Sequence, residues 1–266
     1  MSDFMAFFTI QGILIAVVLS VHTYIGVHII RRGLIFSDLS LDQLAAFGVI
    51  VGIAFGIEGG TTSSYLVSCV AVAIGAVLLA TVKPKSRNIP REAVIGIIYC
   101  LALVASLLVA DRIPGGLSYV TQTLTGCMLW VTWPLVWTTV IAYVIISVFH
   151  FIFRERIIGI TEGKKIDRET MWDILFFLSQ GIITVLIVPI AGVLLAYSFL
   201  MIPAAIGVLF SDDWRWSLGI GWTVGLAASF AGLFLSYFVH LPYGPTLVLS
   251  LGACFLGALA VRVVKP

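Results

Sequence analysis

Long apolar stretches, each bounded by charged residues, glycine or proline, follow one another along the whole chain. A membrane-spanning helix needs about 20 mostly apolar residues, and nine stretches come close to that length: 8–30, 39–57, 65–82, 93–110, 135–153, 174–190, 191–210, 218–239 and 246–264. The seventh contains Pro203, which should kink the helix or end it. This pattern predicts an all-α, polytopic membrane protein with eight or nine transmembrane helices in one domain, residues 1–266.

The segment 117–134 is harder to interpret than the nine apolar stretches. It is moderately polar, with hydroxyl and amide side chains at Ser118, Thr121, Gln122, Thr123 and Thr125. We expect a short interfacial or re-entrant helix here, or a further span.

The composition supports integration into a lipid bilayer. Hydrophobic residues make up 61% of the 266 residues and charged residues only 11%, whereas soluble domains carry roughly 25% charged residues. The net charge of +2 gives no basic footprint for nucleic acid. The first apolar stretch lacks a basic leader and a small-residue cleavage site, so it predicts a retained helix rather than a cleaved signal.

Basic residues predict the orientation of the chain. Of its 15 lysines and arginines, all except Arg112 fall in alternate connections of the predicted topology. The positive-inside rule places these connections in the cytoplasm, with the N-terminus outside and the C-terminus inside. The longest of them, 154–173, carries mixed charge and is either a solvated connector or a docking surface.

The four cysteines, Cys69, Cys100, Cys127 and Cys254, are scattered through apolar stretches without metal-ligand spacing. We interpret them as buried small apolar side chains rather than a disulfide set or a zinc site.

A polar stretch at the start of the second predicted span is the best candidate for a functional site. Asp38 and Asp42 are four residues apart and share a helix face, with Gln43 beside that face. Such a pair is costly within a membrane and suits divalent cations. Alternatively, both carboxylates lie at the cytoplasmic interface and pair with Arg31 and Arg32. Glycines at 48, 52 and 56 predict a close approach by another helix.

Histidines are the other candidate metal ligands near the spans. His22 and His240 are the stronger candidates and His28 the weaker, although lone histidines more often serve in packing. The predicted topology puts His240 at the outer end of its span and Asp38 at the inner end of another. Since a 20-residue helix is about 30 Å long, the two share a metal only if the second span begins deep in the membrane.

Several classes of function are not supported by the sequence. The phosphate-binding pattern G-x-x-x-x-G-K-[ST] is absent, so the chain does not hydrolyse ATP by that route. No nucleophile–base pair is visible, which makes an intramembrane enzyme the least supported reading.

Taken together, four segments resemble the permease subunits of bacterial zinc/manganese/iron ABC importers. They are residues 31–48, the stretch EAVIGIIY at 92–99, GVLLAYSFLMIPAAI at 192–206 and SYFVHLPYGPTLV at 236–248. The last two are similar to the family patterns G-V-L-L-v-x-x-x-L-x-x-P-A-x-x and S-Y-x-x-D-L-P-x-G-x-x-x-V.

This chain departs from the family pattern at two positions. Asp38 matches the aspartate of the family's D-x-x-x-H, but Asp42 stands where that pattern has histidine. His240 stands where the family has aspartate before Leu-Pro. Replacing an imidazole by a carboxylate favours harder ions such as manganese.

The resemblance implies a permease that moves a divalent metal as its substrate, with no bound cofactor, in a bacterial inner membrane. It further implies a homodimer or paralogue heterodimer with the pathway between protomers, cytoplasmic ATP-binding subunits docked near 154–169, and an extracytoplasmic metal-binding protein. Two alternatives stay open, a permease for a metal chelate and an ATP-independent secondary cation transporter using Asp38 and Asp42.

Overall fold

A computed structural model describes residues 2–84, 88–126 and 131–264, and this part of the chain is all-helical. Its helices are α1 (Ser2–Arg32), α2 (Phe36–Ala54), α3 (Thr62–Thr81), α4 (Arg91–Ala110), α5 (Gly116–Thr125), α6 (Trp133–Ile152), α7 (Arg154–Thr161), α8 (Glu169–Phe210), α9 (Trp214–Val239) and α10 (Tyr243–Val264). Within these ranges, eight helices are long and apolar enough to cross a membrane. Only α5 and α7 are too short.

The helix α8 contains two of the predicted spans. Its 42 residues would extend about 63 Å at 1.5 Å per residue, roughly twice the thickness of a bilayer core. The helical geometry is interrupted at Gly192, where φ is 77° and ψ is 161°. The predicted boundary between the spans 174–190 and 191–210 therefore corresponds to a break one or two residues further along the chain. The helix does not end at Pro203.

Contacts at the two ends of α8 show that it folds back at this break. Arg32, the last residue of α1, forms an ion pair with Asp173 near the start of α8. Its neighbour Arg31 donates a hydrogen bond to the carbonyl oxygen of Asp212, just after the end of α8, at 2.6 Å. Both ends of α8 therefore lie at the same end of α1. Adding the two limbs of α8 to the seven other long helices gives the nine crossings that the sequence predicts.

The helix α5 covers most of the described part of the ambiguous segment 117–134. At 10 residues it is about 15 Å long, which is too short to cross a membrane. It packs against α2, α4 and α8, and its C-terminal end lies against Gly192. The structure thus agrees with the short-helix alternative, while residues 127–130 lie outside the described part of the chain.

The centre of the bundle is formed by α1, α2 and above all α8, which are mostly buried, whereas only a minority of the residues in α4, α6, α9 and α10 are buried. The prediction that the cysteines are buried is wrong for the described ones: Cys69 and Cys100 are exposed, and Cys254 is half-buried. Hydropathy alone does not distinguish a core-facing position from a lipid-facing one, because both are apolar. Cys127 lies outside the described residues.

The predicted glycine seam is present at one of its three positions. A Cβ atom on Gly48 would lie 2.6 Å from the Cα atom of Ser68, so α2 and α3 touch backbone to backbone there. The hydroxyl of Ser68 donates to the carbonyl of Ala45 at 3.1 Å. Gly52 meets no other helix, and Gly56 lies in the turn after α2 with a positive φ.

Candidate functional site

The two carboxylates of α2 are held by two polar side chains of α8. Asp38 Oδ1 accepts a hydrogen bond from Gln180 Nε2 at 2.8 Å, and Asp42 Oδ1 accepts one from Thr184 Oγ1 at 3.0 Å. Each helix advances by four residues between the two contacts, in the same order. The helix α2 and the first limb of α8 therefore run in the same direction, with their polar faces in register.

The carboxylate pair lies inside the bundle and not at the end where Arg31 and Arg32 lie. Asp38 is only 2% exposed and Asp42 only 1%. Along α8, Thr184 lies about 12 Å from the Gly192 break and about 22 Å from Glu169, at 1.5 Å per residue. Arg31 and Arg32 make their contacts with Asp212 and Asp173 instead. The alternative in which the arginines neutralise Asp38 and Asp42 is therefore not the arrangement in this structure.

Several oxygen atoms around the pair have no hydrogen-bond partner. Asp38 Oδ2, Asp42 Oδ2 and Gln180 Oε1 are all buried and unpartnered. Two buried negative charges are costly unless a cation or proton compensates them. Carboxylate and amide oxygens are the ligands that hard divalent cations prefer. The donor set thus fits a divalent cation as a transported substrate.

The donor set is incomplete as a resident metal centre. Among the described residues, no group of three or more histidine, cysteine or acidic side chains is close enough to hold a metal ion. A site with two carboxylates and weaker amide or water ligands binds a cation less tightly than a closed structural site. Such an arrangement is suited to an ion that must also leave.

Gln43 lies on α2 but faces a different neighbour from the aspartates. Its Nε2 donates to Ser106 Oγ of α4 at 3.2 Å, whereas the aspartates contact α8. The Gln43 amide therefore takes no part in the hydrogen bonds that hold Asp38 and Asp42. Its role in metal passage stays a prediction.

His22 packs against a tyrosine of α6. The His22 ring is buried, and its Nδ1 lies 3.1 Å from the carbonyl oxygen of Val18 and 3.4 Å from the hydroxyl of Tyr143. The hydrogen bonds described for His22 do not include Asp38 or Asp42, so its assignment as a ligand stays a prediction.

His240 is separated from the pair, as the predicted topology requires. It is exposed and directly follows the last residue of α9. The first residue of α9 follows Asp213, so α9 begins at the end of the molecule where Arg31 contacts Asp212. At 26 residues, α9 is about 39 Å long. His240 thus lies at the opposite end of the molecule from Arg31, next to Phe7 and Tyr243.

Sequence reasoning missed the partners on α8 and a cluster at the end of the bundle where α1 ends. Gln180 and Thr184 are polar residues four apart in an apolar run, a local signal that could have been noticed. The cluster centres on Asp173, which is fully buried. Besides Arg32, its carboxylate meets Lys83 Nζ at 2.9 Å and Arg91 Nη2 at 3.6 Å. It thereby joins the ends of α1, α3, α4 and α8.

Fold and site together define a multi-pass helical membrane protein with a cation-compatible carboxylate pair inside its bundle. A model of the ABC 3 transport family matches residues 1–262. The chain therefore belongs to the ABC 3 transport family.

Two solved structures are similar over most of the chain. PsaBC from Streptococcus pneumoniae, solved in complex with a Fab, superimposes with a TM-score of 0.74 at 20% identity, covering 93% of this chain and 89% of that one. An inward-facing structure of a proposed metal-chelate type ABC transporter gives a TM-score of 0.63, also at 20% identity, covering 95% and 85%. At this identity the two likenesses establish the fold.

A sequence relative is described as a probable metal transport system membrane protein of Chlamydia trachomatis. It is 23% identical over 176 residues, which cover 64% of this chain and 60% of that protein. The chain thus spans about 60% of the length of this relative.

Proposed function

We propose that the chain is the permease subunit of an ATP-binding-cassette importer that moves a divalent metal ion across a bacterial inner membrane by alternating access. The observation that carries this proposal is the buried pair of Asp38 and Asp42, with unpartnered oxygens in the middle of a bundle of this family. The chain supplies the passage and makes no covalent bond.

In this proposal Asp38 and Asp42 are the metal ligands, and Gln180 and Thr184 hold their carboxylates in place. A donor set made of oxygens favours a hard ion such as Mn²⁺ over Zn²⁺, which prefers sites with nitrogen or sulfur ligands. We therefore propose manganese first, with zinc and iron as the other candidates.

The energy comes from partner subunits in this proposal, because the chain lacks a phosphate-binding loop. Two cytoplasmic ATPase subunits dock on α7 and the segment up to residue 169, where most side chains are exposed. An extracytoplasmic metal-binding protein delivers the ion, and the permease pairs with a second copy or a close paralogue.

Uptake of radioactive Mn²⁺ into proteoliposomes that contain the permease and its ATPase partner tests the proposal. Asp38→Asn combined with Asp42→Asn should lower ATP-dependent uptake at least tenfold, while the complex still assembles. Asp111→Asn is the control, because Asp111 is an exposed carboxylate in the turn after α4. Normal uptake by the double variant would contradict the assignment of the site.

A metal chelate is the second candidate substrate, favoured by the likeness to the proposed metal-chelate type transporter. Competition separates the two candidates. If the substrate is the free ion, unlabelled free Mn²⁺ should inhibit uptake of labelled Mn²⁺. If the substrate is a chelate, only chelated metal should inhibit uptake of the label. Uptake that persists with an inactivated ATPase would instead indicate a secondary transporter.

A further inference from the structure

A cavity of about 420 Å³ opens at the end of the bundle opposite the Asp173 cluster. It lies between α2, α3, α5, α6 and α8, and its polar side is lined by Glu58, Tyr65, Tyr119, Gln122 and Thr123. Five side chains that carry oxygen atoms therefore line one space.

The floor of this cavity is formed by the two helices that hold the carboxylate pair. Val49 of α2 and Pro189 of α8 line it. Val49 lies about 10 Å beyond Asp42 along α2, and Pro189 lies about 8 Å beyond Thr184 along α8, at 1.5 Å per residue. The cavity therefore lies directly above the pair along the same two helices, within one protomer.

An apolar layer separates the cavity from the pair. Ala46, between Asp42 and Val49 on α2, is 1% exposed, and Ile187 and Val188, between Thr184 and Pro189 on α8, are fully buried. An ion in the cavity could not pass this layer without a movement of α2 relative to α8. The structure thus has the arrangement of an outer chamber closed from an inner site.

The charge and size of the cavity suit a hydrated cation. Glu58 is the only charged residue in the described lining, and no ion pair to its carboxylate occurs among the described residues. A divalent cation with six waters occupies roughly 200 Å³, at about 30 Å³ per water. The cavity accommodates such an ion together with its water shell.

We propose that this cavity is an outer capture site for a divalent cation, in which Glu58 supplies the charge and the tyrosine, amide and hydroxyl groups contact the water shell. The ion waits there before the apolar layer opens toward Asp42 of the same protomer. The role in uptake rests on the proposed function, whereas the binding of a cation beside Glu58 does not.

Binding is tested with Tb³⁺, a hard, oxygen-seeking ion that emits when a nearby excited aromatic ring transfers energy to it. Tyr65 and Tyr119 line the cavity and can transfer energy to a Tb³⁺ ion bound there. The measurement uses the full-length chain in non-ionic detergent with the substitutions Asp38→Asn and Asp42→Asn, so that the inner pair does not contribute to Tb³⁺ binding. We expect sensitised emission that Mn²⁺ displaces, and at least tenfold weaker Tb³⁺ binding in Glu58→Gln.

Two further variants sharpen this measurement. Glu58→Asp should restore part of the affinity, because it keeps the charge. Asp111→Asn should leave the affinity unchanged, because Asp111 is an exposed carboxylate of a neighbouring turn outside the cavity lining. Equal Tb³⁺ affinity in wild-type Glu58 and Glu58→Gln chains, or an equal loss in Asp111→Asn, would overturn the proposal.

Transport kinetics separate a failure of this inference from a failure of the proposed function. Glu58→Gln should raise the half-saturating metal concentration about tenfold and leave the maximal rate within twofold. If Glu58→Gln loses Tb³⁺ binding while the unmodified permease transports no metal, the capture site is supported and the proposed function is rejected. Unchanged binding and unchanged half-saturation in a transporting protein would reject the capture site alone.

A third outcome concerns the delivery protein. If Glu58→Gln weakens the binding of the extracytoplasmic partner while Tb³⁺ affinity stays the same, then Glu58 is a docking residue, and the capture site is rejected.

Discussion

Asp173 holds three cationic side chains from three different parts of the chain. Its carboxylate is fully buried, and the side chain of Arg32 is only 8% exposed. Removing one partner of a buried ion pair leaves the other charge uncompensated, at a cost of about 3–5 kcal/mol. We therefore expect Asp173→Asn to lower the thermal unfolding temperature of the purified permease markedly.

Glu169→Gln is the matched control for that measurement. Glu169 also meets Lys83, at 2.9 Å, but its side chain is 51% exposed, and exposed ion pairs contribute about 0–1 kcal/mol. Similar unfolding temperatures for the two variants would show that burial does not set the strength of this cluster.

Thr184 is the second residue for which the structure gives a sharp expectation. Thr184→Val keeps the shape of the side chain but removes the hydroxyl that donates to Asp42. A hydrogen bond to a charged group contributes about 1.5–3 kcal/mol, so the loss of this positioning should weaken Mn²⁺ binding roughly tenfold or more. Isothermal titration of the purified complex with Mn²⁺ measures the change.

Thr139→Val controls for the loss of a buried hydroxyl. Thr139 lies in α6, where its hydroxyl donates to the carbonyl of Leu135 within the same helix at 2.9 Å. Its replacement should leave Mn²⁺ affinity unchanged. An equal loss in both variants would mean that the effect is structural and does not act through Asp42.

At the residue scale, the sequence revealed what depends on local spacing. Asp38 and Asp42 were identifiable because four-residue spacing places them on one face of a helix. Gln180 and Thr184 were not linked to them, since that pairing depends on the register of two helices 142 residues apart along the chain. The exposure of Cys69 and Cys100 was missed because lipid-facing and core-facing positions have the same hydropathy.

At the scale of elements, the break in α8 rests on a single glycine. Gly192 has φ of 77° and ψ of 161°, a region that is accessible almost only to glycine and costs other residues about 1–3 kcal/mol. A Cβ atom there would also lie 2.3 Å from the backbone nitrogen of Gly126 and 2.6 Å from the carbonyl carbon of Thr125. Gly192→Ala should therefore lower the yield of folded protein and its unfolding temperature.

Gly219→Ala provides the control for this substitution. Gly219 lies inside α9, and a Cβ atom there would meet no atom within 4 Å. Alanine is favoured over glycine inside a helix by about 0.8–1 kcal/mol, so this variant should be unchanged or slightly more stable. Equal stability of the two variants would refute the requirement for glycine at the break.

The elements themselves were largely predictable, because span length and hydropathy are imposed by the bilayer. The sequence placed the boundary between the sixth and seventh spans within two residues of Gly192. It did not show that α8 is helical directly before and directly after this residue. The helix α5 could not be settled in advance, since ten residues of intermediate polarity pack against α8 through contacts that no local pattern encodes.

At the scale of the whole molecule, the distribution of basic residues and the tertiary contacts describe the same polarity. Arg32, Lys83 and Arg91 were assigned to the cytoplasm from the asymmetry of charges alone. In the structure all three converge on Asp173. The carboxylate pair, the apolar layer and the outer cavity then follow one another along α2 and α8, in the direction away from Asp173.

The helix α7 has one face packed against the bundle and one face exposed. Its buried face includes Ile157 and Thr161, and Thr161 Oγ1 lies 2.6 Å from His28 Nδ1 of α1. Its exposed face carries Arg154, Glu155 and Arg156. One face of α7 is thus anchored to the permease, while the other offers charges to a docking protein.

Two variants of α7 should therefore behave differently. Glu155→Arg should weaken co-purification of the ATPase subunit, since it reverses a charge on the exposed face, and Arg112→Glu in the turn after α4 is its control. Thr161→Val should leave the ATPase bound but lower the metal transported per ATP hydrolysed, because it removes the contact with His28 and, apart from that, only a hydrogen bond to Ile157 within α7. Unchanged coupling in Thr161→Val would mean that the movement passes into the bundle elsewhere, for instance through the packing of Ile157.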